Sequence, residues 1–375
     1  MPIKKLSLGA VLALLTVSRI SAFLLDSFPC RREGINTADL LAVLLGGIAA
    51  GVLFLPSLVW MRRSGGALLA PQSLPCQAVR RTAWGIYGAY LMLAAFRTVA
   101  QTGLFLKVHI FSLEVEWLFA AFILVFAAFS AMQGITGIGR AAPVMLTLVA
   151  IAVLILLLSS LPLMDTLWVT SPLWYGASQT AFSVADTVAQ NAELVLFPLL
   201  LTCVRESDRS RVRVWPAVLG WTVAGMTVLL NILLVCSGSD GGQLFPYYQV
   251  AAVVTSKNGI SPEAFLVGFW LLSVFLRVTL LLNVSVHCFI QLCCDERRHT
   301  NRSVTSWYRL LPWGLAGVLI VCEILFTVFN RDRAVLFETK ISLLITLSVG
   351  VLLPLILILF TKKKPLPQGD IHYET

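Results

Sequence analysis

Long apolar stretches separated by short polar segments follow one another along the whole chain. Ten of them approach or exceed the roughly 20 residues that an α-helix needs to cross the hydrocarbon core of a bilayer. They cover approximately residues 6–28, 37–60, 82–108, 115–133, 142–164, 175–204, 214–236, 262–291, 305–330 and 338–361. The short connections leave no room for a separate soluble domain. The pattern therefore predicts an all-α integral membrane protein with ten transmembrane helices, in which residues 1–375 form one polytopic domain.

Polar residues interrupt two of these stretches. The first is broken between Thr16 and Ser21, and the sixth between Ser183 and Glu193. A break at membrane depth is tolerated only where protein or a cavity satisfies the freed backbone groups. Discontinuous helices at corresponding positions indicate an inverted repeat with a binding site near the midplane. We expect discontinuous helices 1 and 6 in a 5+5 inverted repeat, with halves at about 1–165 and 166–361 and a polar tail at 362–375.

The composition makes the bilayer the solvent of this chain, and the distribution of charge sets its orientation. Hydrophobic residues make up 58% and charged residues 13%, against about a quarter charged in soluble domains. With the amino terminus inside, most Lys and Arg fall on the cytoplasmic side, as in Lys4-Lys5 and Lys362–Lys364. The positive-inside rule then places both termini in the cytoplasm. The net charge of +9 reflects topology, and no nucleic-acid partner is expected.

The amino terminus also has the features of a cleavable signal peptide. Lys4-Lys5 precede an apolar run that ends near Ser21-Ala22, an arrangement shared by signal peptides and first transmembrane helices. We expect retention, because the apolar pattern continues through Phe23-Leu24-Leu25 and the next helix follows closely. Cleavage stays open as the alternative.

Catalytic and metal-binding patterns are not found in the sequence. The eight cysteines form no C-x-x-C pair, and no His or Cys cluster has metal-ligand spacing. Gly134–Gly139 is rich in glycine but has the wrong spacing for a dinucleotide or phosphate loop. No nucleophile–base pair suggests hydrolysis. We therefore expect neither an enzyme nor a bound metal or cofactor.

Charged side chains at membrane depth are costly and are functional candidates by default. The spans contain Arg19, Arg97, Asp186, Glu193, Arg277 and Glu323. They bind a ligand or form structural ion pairs. Whether Arg19 contacts ligand or pairs with Glu193 is open at this point. Arg277 lies on nearly the opposite helical face from Thr279, which favours a structural role.

A ligand pocket can be drawn from the two breaks and the polar faces of neighbouring helices. A half-helix that begins at the first break would offer free N–H groups to a carboxylate. The predicted ligand-binding residues are Thr16, Ser18, Arg19, Ser21, Tyr90, Arg97, Asn191, Glu193, Thr279 and Asn283. Hydrogen bonding between helices is the alternative for the stripe of Thr279, Asn283 and His287. Glu193 would be the residue for proton coupling if it titrates when buried.

Several short motifs, in order and spacing, resemble the B subunits of GerA-type spore germination receptors. They are Gln133–Ala141 after helix four, Ala192–Pro198 in helix six, Phe245-Pro246 with Ile260-Ser261 and Phe269-Trp270, and Phe96-Arg97-Thr98 in helix three. The chain departs from the family pattern in three places. Ala192 replaces a glycine, Thr136 or Gly137 stands where a glutamate is usual, and no arginine follows Phe-Pro within Tyr247–Thr255.

The resemblance implies a fold of the amino acid–polyamine–organocation (APC) superfamily, similar to that of LeuT. It implies a multi-pass protein of the bacterial spore inner membrane that binds a small germinant, often an amino acid. It also implies two partners, a receptor A subunit and a lipoprotein C subunit. A stand-alone amino-acid/proton secondary transporter of the same superfamily is the alternative, and a scaffold subunit with a dead site is the third hypothesis.

Overall fold

The computed structural model describes residues 6–24, 37–53, 55–64, 74, 76–110, 116–166, 176–189, 193–204, 215–236, 245–258, 262–293, 302–329 and 339–361. Over these ranges the chain is helical, and its β-type pairing is a single isolated bridge between Leu6 and Val204. The first half contains α1 Leu8–Leu24, α2 Thr37–Leu53, α3 Leu55–Arg63, α4 Gln77–His109, α5 Glu116–Ala131 and α6 Ile135–Ser160.

The second half is helical in the same way. It contains α7 Ala177–Ala189, α8 Glu193–Leu201, α9 Trp215–Cys236, α10 Pro246–Asn258, α11 Pro262–Cys293, α12 Arg302–Phe329, α13 Thr339–Leu347 and α14 Leu353–Phe360. A single turn of 3₁₀-helix, Leu161–Leu163, extends α6, and a π-helical segment, Ser348–Leu352, joins α13 to α14.

Six of the described helical segments are long and apolar enough to cross a membrane. They are Thr37–Met61, Gln77–His109, Ile135–Leu163, Glu263–Cys293, Trp307–Val328 and Ile341–Phe360. Leu8–Leu24, Glu116–Ala131 and Gly220–Val235 are apolar but shorter. The protein is thus an integral multi-pass membrane protein, as predicted, while the count of ten spans stays a prediction.

The outer surface of the bundle carries large apolar side chains. Phe122, Phe126 and Phe129 of α5 are each more than half exposed, and Leu344 of α13 and Leu359 of α14 are more exposed still. A water-soluble domain would hide such residues, whereas the hydrocarbon core of a bilayer solvates them. This surface is therefore the face that meets lipid.

The helix α11 forms the centre of the bundle. It packs against α1, α4, α5, α6, α8, α10 and α12. Leu280, Leu281 and Leu282 are consecutive and fully buried, although neighbouring residues point to different sides of a helix. Around these leucines the helix is therefore buried on every side, and a charged residue in this part of it must find its partner inside the protein.

The predicted break in the first helix is wrong. The helix α1 runs without interruption from Leu8 to Leu24, through the polar residues at 16–21. Thr16 Oγ1 donates to the carbonyl of Leu12 at 2.8 Å, so this hydroxyl is satisfied within the helix. A regular helix also uses its own interior N–H groups, and the carboxylate site expected between Ser18 and Ser21 is therefore not formed.

The predicted break in the sixth helix is narrower than the polar residues suggested. Residues 183–189 are helical and complete α7, which ends at Ala189, while α8 begins at Glu193. Residues 190–192, which include the predicted ligand residue Asn191, lie outside the described residues. Any interruption of this helix is therefore confined to the three residues between Ala189 and Glu193.

The first and sixth predicted helices lie side by side in opposite directions. The N–H of Leu6, just before α1, donates to the carbonyl of Cys203, just after α8, at 2.8 Å. Twelve residues further on, Ser18 Oγ donates to Glu193 Oε1 at 2.7 Å. Between these two contacts the residue number increases along α1 and decreases along the sixth predicted helix. The two helices are therefore antiparallel, as an inverted repeat requires.

Candidate ligand site around Glu193

The carboxyl end of α7 is satisfied by side chains from a distant helix. Thr346 Oγ1 and Ser342 Oγ of α13 donate to the carbonyl of Ala189 at 2.9 and 3.4 Å. The last carbonyls of a helix receive no hydrogen bond from within the helix. In a bilayer, where water is absent, they need donors from elsewhere in the protein. The two hydroxyls lie one turn apart on α13 and supply those donors.

Tyr90 and Arg97 of α4 extend this hydrogen-bonded group. The hydroxyl of Tyr90 lies 3.2 Å from Thr346 Oγ1, and Arg97 Nη1 donates to Ser342 Oγ. The sequence predicted that residues 90 and 97 share a helical face. Both residues of that face contact α13, so the predicted pair lies beside the carboxyl end of α7.

The amino end of α8 carries a buried ion pair. Arg277 Nη1 lies 2.7 Å from Glu193 Oε1, and Ser18 Oγ donates to the same carboxylate oxygen at 2.7 Å. The exposed fractions of the two charged side chains are 5% for Arg277 and 0% for Glu193. Charges so far from water are tolerated when paired and hydrogen-bonded, and this pair meets both conditions.

Arg277 joins two further groups to this pair. Its Nε donates to Thr98 Oγ1 at 3.2 Å, and its Nη1 donates to the backbone carbonyl of Ser18. One guanidinium thereby connects α11 with α1, α4 and α8. The sequence identified Arg277 as an intramembrane charge with a structural role, and it left open whether Arg19 pairs with Glu193; the structure pairs Glu193 with Arg277. Helical periodicity shows which residues share a face, and it does not show which helix that face meets.

One oxygen of Glu193 is left over by these contacts. Glu193 Oε2 is buried and has no hydrogen-bond partner among the described residues. Glu193 is also the first residue of α8, where the opening N–H groups have no acceptor within the helix. This carboxylate oxygen and the opening N–H groups of α8 thus lie at the same helix end.

Thr16 and Arg19 lie on another side of α1, next to a small cavity. Trp221 Nε1 of α9 donates to Thr16 Oγ1 at 3.2 Å. The cavity has a volume of about 40 Å³ and lies between α1, α2, α7 and α9, with Arg19, Phe23, Gly47, Thr187 and Trp221 among its lining residues. That space holds a few water molecules at most. Thr16 and Arg19 are therefore separate from the group around Glu193.

The remaining predicted residues make local or structural contacts. Thr279 Oγ1 donates to the carbonyl of Phe275 within α11, and Asn283 Nδ2 donates to the carbonyl of Ala131 at the end of α5, both at 2.8 Å. His287 Nδ1 lies 3.2 Å from the hydroxyl of Tyr308. The contacts of Asn283 and His287 agree with the interhelical hydrogen bonding given as the alternative, whereas Thr279 bonds its own helix. Ser21 is buried, and its Oγ has no hydrogen-bond partner in the described part of the chain.

Metal ligands do not gather in the part of the chain that the structure describes. No three His, Cys, Asp or Glu side chains there lie close enough to hold a metal ion. The chemistry of the site among those residues is therefore that of one ion pair, several hydroxyls and a helix end.

Comparison with known proteins places the fold. No protein-family model and no curated protein matches the sequence. Among solved structures, MhsT in complex with L-phenylalanine is similar, with a TM-score of 0.61, 17% identity, and coverage of 95% of this chain and 89% of that chain. MHP1, a nucleobase-cation-symport-1 family transporter with bromovinylhydantoin bound, has a TM-score of 0.52, 12% identity, and coverage of 96% and 95%.

Both similar structures are transporters of the LeuT fold, and neither is an enzyme. The similarity extends over nearly the whole of each chain. It confirms the predicted APC/LeuT-like class, although identities this low concern the fold alone. The chain therefore has the fold of the LeuT-type transporters, with its buried ion pair between α8 and α11.

Proposed function

We propose that the protein binds a small zwitterion of the amino-acid class at the end of α8. The observation that carries the proposal is the buried Glu193 Oε2, which has no partner among the described residues, beside the first N–H groups of the same helix. An ammonium group would bind the carboxylate oxygen. A carboxylate would bind the N–H groups, where the helix dipole favours negative charge.

The ion pair prepares Glu193 for this role. Arg277 and Ser18 hold Oε1 in place, so the second oxygen is fixed in direction before a ligand arrives. We therefore assign Glu193 to ligand binding.

Ligand entry requires the helices around the site to separate. Ser18 and Glu193 are both 0% exposed, so a ligand reaches the carboxylate only when the packing around it opens. A bound state would differ from this one in the packing of α4, α8, α11 and α13, and the ligand would shift the population toward it. Such a change in helix packing can serve a transport cycle or the transmission of a signal.

We propose further that this protein uses ligand binding to signal, as the germinant-binding B subunit of a spore germination receptor. The resemblance to GerA-type B subunits supports this role. Gly134 opens the helix-four turn with φ of +79°, a conformation suited to glycine. The A subunit and the lipoprotein C subunit would be its partners, in the spore inner membrane with both termini cytoplasmic.

Binding is tested with the purified full-length protein and a panel of L-amino acids. We expect one class of amino acid to raise the thermal midpoint saturably, and Glu193→Gln to abolish that rise. Glu263→Gln is the matched control, because Glu263 bonds Tyr248 at the other end of α11, and it should respond like the parent. A panel without any response would contradict the proposal and favour a scaffold subunit with a dead site.

A stand-alone secondary transporter, coupled to an ion such as a proton, is the second candidate, favoured by the transporter fold of both similar structures. Proteoliposomes that contain this chain alone distinguish the two functions. Uptake of the bound amino acid would favour the transporter. Binding without uptake, together with copurification of A and C subunits and spores that fail to germinate without this gene, would favour the receptor.

A further inference from the structure

Glu323 lies on the buried face of α12. Ala316, Leu319 and Glu323 follow the three- and four-residue spacing of one helical face, and they are 2%, 4% and 0% exposed. Val321 and Leu325 lie on other faces of the helix and are exposed. The carboxyl group therefore points into the bundle, at a position where the helical pattern calls for an apolar side chain.

The interior around Glu323 offers no partner for a carboxyl group. The helix α12 packs against α4, α5 and α11. Phe326, three residues after Glu323, packs edge to face on Phe96 of α4, with ring centroids 5.9 Å apart. Neither carboxyl oxygen of Glu323 has a hydrogen-bond partner among the described residues. The side chain is therefore enclosed by helices that leave it unpaired.

The groups able to carry a charge on those three helices lie elsewhere. Away from the helix ends they are Tyr87, Tyr90, Arg97, Arg277, His287 and Cys288, and none of them lies within hydrogen-bond distance of either carboxyl oxygen of Glu323. Arg277 is paired with Glu193, and Arg97 donates to Ser342. Glu116, at the start of α5, is paired with Lys107. Glu323 thus has no described counter-charge.

A carboxyl group in these surroundings fits a proton better than a metal ion. An isolated ionised carboxylate is very costly in an apolar interior, and such a group takes up a proton instead. A hard cation such as Ca²⁺ needs about six to eight oxygen ligands, whereas Glu323 and Thr327 together supply three unpaired oxygens. A proton needs only one oxygen.

Thr327 lies one turn beyond Glu323 on the same face of α12. Its Oγ1 is also buried without a hydrogen-bond partner among the described residues. Side chains four residues apart are neighbours, and each leans toward the amino end of its helix, so Thr327 leans toward Glu323. The helix ends at Phe329, which places Thr327 between Glu323 and that end. A hydroxyl can donate and accept at once, as a proton relay requires.

We propose that Glu323 and Thr327 form a proton-binding site inside the bundle. Glu323 holds the proton, and Thr327 exchanges it with water at the carboxyl end of α12. On uptake, a hydronium ion gives a proton to Thr327 Oγ1 while the proton of the hydroxyl passes to the Glu323 carboxylate. The products are water, the regenerated hydroxyl and a carboxylic acid. This site goes beyond the proposed function, because the ligand residue Glu193 lies on another helix and is paired with Arg277.

Infrared spectroscopy of the full-length protein at neutral pH detects the bound proton. The carbonyl stretch of a carboxylic acid is separate from the bands of ionised carboxylates, and exposed Asp and Glu side chains are ionised at this pH. We expect a carboxylic-acid band in the parent that loses intensity in Glu323→Gln and in Glu323→Leu. A parent without the band, or a band of unchanged intensity in both variants, would overturn the proposal.

Glu116→Gln is the matched control for this measurement. Glu116 is also buried, at 3% exposed, but its carboxylate lies 2.7 Å from Lys107 Nζ. A counter-charge keeps a buried carboxylate ionised, so this variant should retain the band in full. If Glu116→Gln loses the same intensity as Glu323→Gln, the band does not report on Glu323, and the proposal fails.

Transfer into D₂O tests the role of Thr327. Replacing O–H by O–D moves the band to lower frequency, so the rate of the shift measures proton exchange at Glu323. In Thr327→Val we expect the band to persist and to shift at least about tenfold more slowly than in the parent, and Thr327→Ser should restore the parent rate. Equal rates for Thr327→Val and the parent, or loss of the band in Thr327→Val, would overturn the relay. No amino acid is present, so failure of the amino-acid binding experiment leaves these outcomes unchanged.

Discussion

Arg277 Nη1 lies 2.7 Å from Glu193 Oε1, and this ion pair joins α11 to the amino end of α8 in the interior of the bundle. Both side chains are almost completely buried. This ion pair contributes to the fold and to the proposed function, because the contact that neutralises two charges also fixes the direction of the second oxygen of Glu193.

Breaking this pair on one side should destabilise the protein more than replacing both residues. Arg277→Met leaves the charge of Glu193 buried without its partner. The expected cost is about 3–5 kcal/mol of the free energy of unfolding. In the double variant Arg277→Met/Glu193→Gln no charge is buried, so we expect a smaller loss. Unfolding by SDS in mixed micelles measures both free energies. A double variant less stable than Arg277→Met would contradict this account.

Replacing Glu323 should stabilise the protein, whereas breaking the ion pair of Glu193 should destabilise it. It is 0% exposed on α12, and neither of its carboxylate oxygens has a hydrogen-bond partner among the described residues. A buried polar group without partners costs roughly 1–3 kcal/mol, so Glu323→Leu should raise the free energy of unfolding by about that amount. The same unfolding assay measures it. A loss of stability would indicate that Glu323 has a partner or a bound ion in the membrane.

The hydropathy of the sequence predicted the fold class well because lipid imposes a simple rule. Long apolar stretches must be helices, and charges within them must face protein. Glu193, Arg97 and Tyr90 were therefore identified from their depth and spacing alone. The break at Thr16–Ser21 was wrong for a physical reason, since Thr16 bonds its own helix and polar residues need not interrupt it.

The partners within the site could not be predicted from the sequence. Arg277 meets Glu193 across 84 positions, and Ser18 meets it across 175. Such contacts depend on how α1, α8 and α11 rotate when they pack, which local periodicity does not contain. Ser342 and Thr346 were missed as well, although a pair of hydroxyls one turn apart in an apolar helix is a signal for a distant carbonyl.

The hydroxyl of Thr346 should stabilise the carboxyl end of α7. Thr346→Val keeps the shape of the side chain and leaves the Ala189 carbonyl without its donor at 2.9 Å, at an expected cost of about 1–2 kcal/mol. Thr147→Val is the control, because that exposed hydroxyl bonds its own helix at Pro143, and a change within about 0.5 kcal/mol is expected there. Equal effects of the two variants would show that the Ala189 contact contributes nothing.

The crossing of α2 and α9 should depend on the absence of a side chain at position 47. A Cβ atom on Gly47 would collide with Oγ1 of Thr222, which is itself held by its bond to Val218 at 2.8 Å. Overpacking of this kind costs about 1–3 kcal/mol, so Gly47→Ala should lower the thermal midpoint. Gly268→Ala is the matched control, since nothing lies within 4 Å of its Cβ position. A midpoint as high for Gly47→Ala as for Gly268→Ala would contradict this packing.

Tyr248 on α10 should ionise only at strongly alkaline pH. Burial, the hydrogen bond to Glu263 and the negative charge of that carboxylate raise the pKa of Tyr248 from 10.0 to about 12. The folded state thus favours the neutral phenol. The resulting stability is fully present below pH 10 and is lost as the pH rises from 10 through about 12.

Near-ultraviolet absorbance of tyrosinate measures this pKa, with Tyr248→Phe subtracted to isolate the one residue. Glu263→Gln keeps an acceptor but removes the negative charge and should move the midpoint of the difference curve down toward 10. Circular dichroism recorded in parallel shows whether the helices persist over the titration. If Tyr248 already titrates near 10 in the parent protein, its phenol is not held by Glu263, and α10 is not fastened to the start of α11 by this contact.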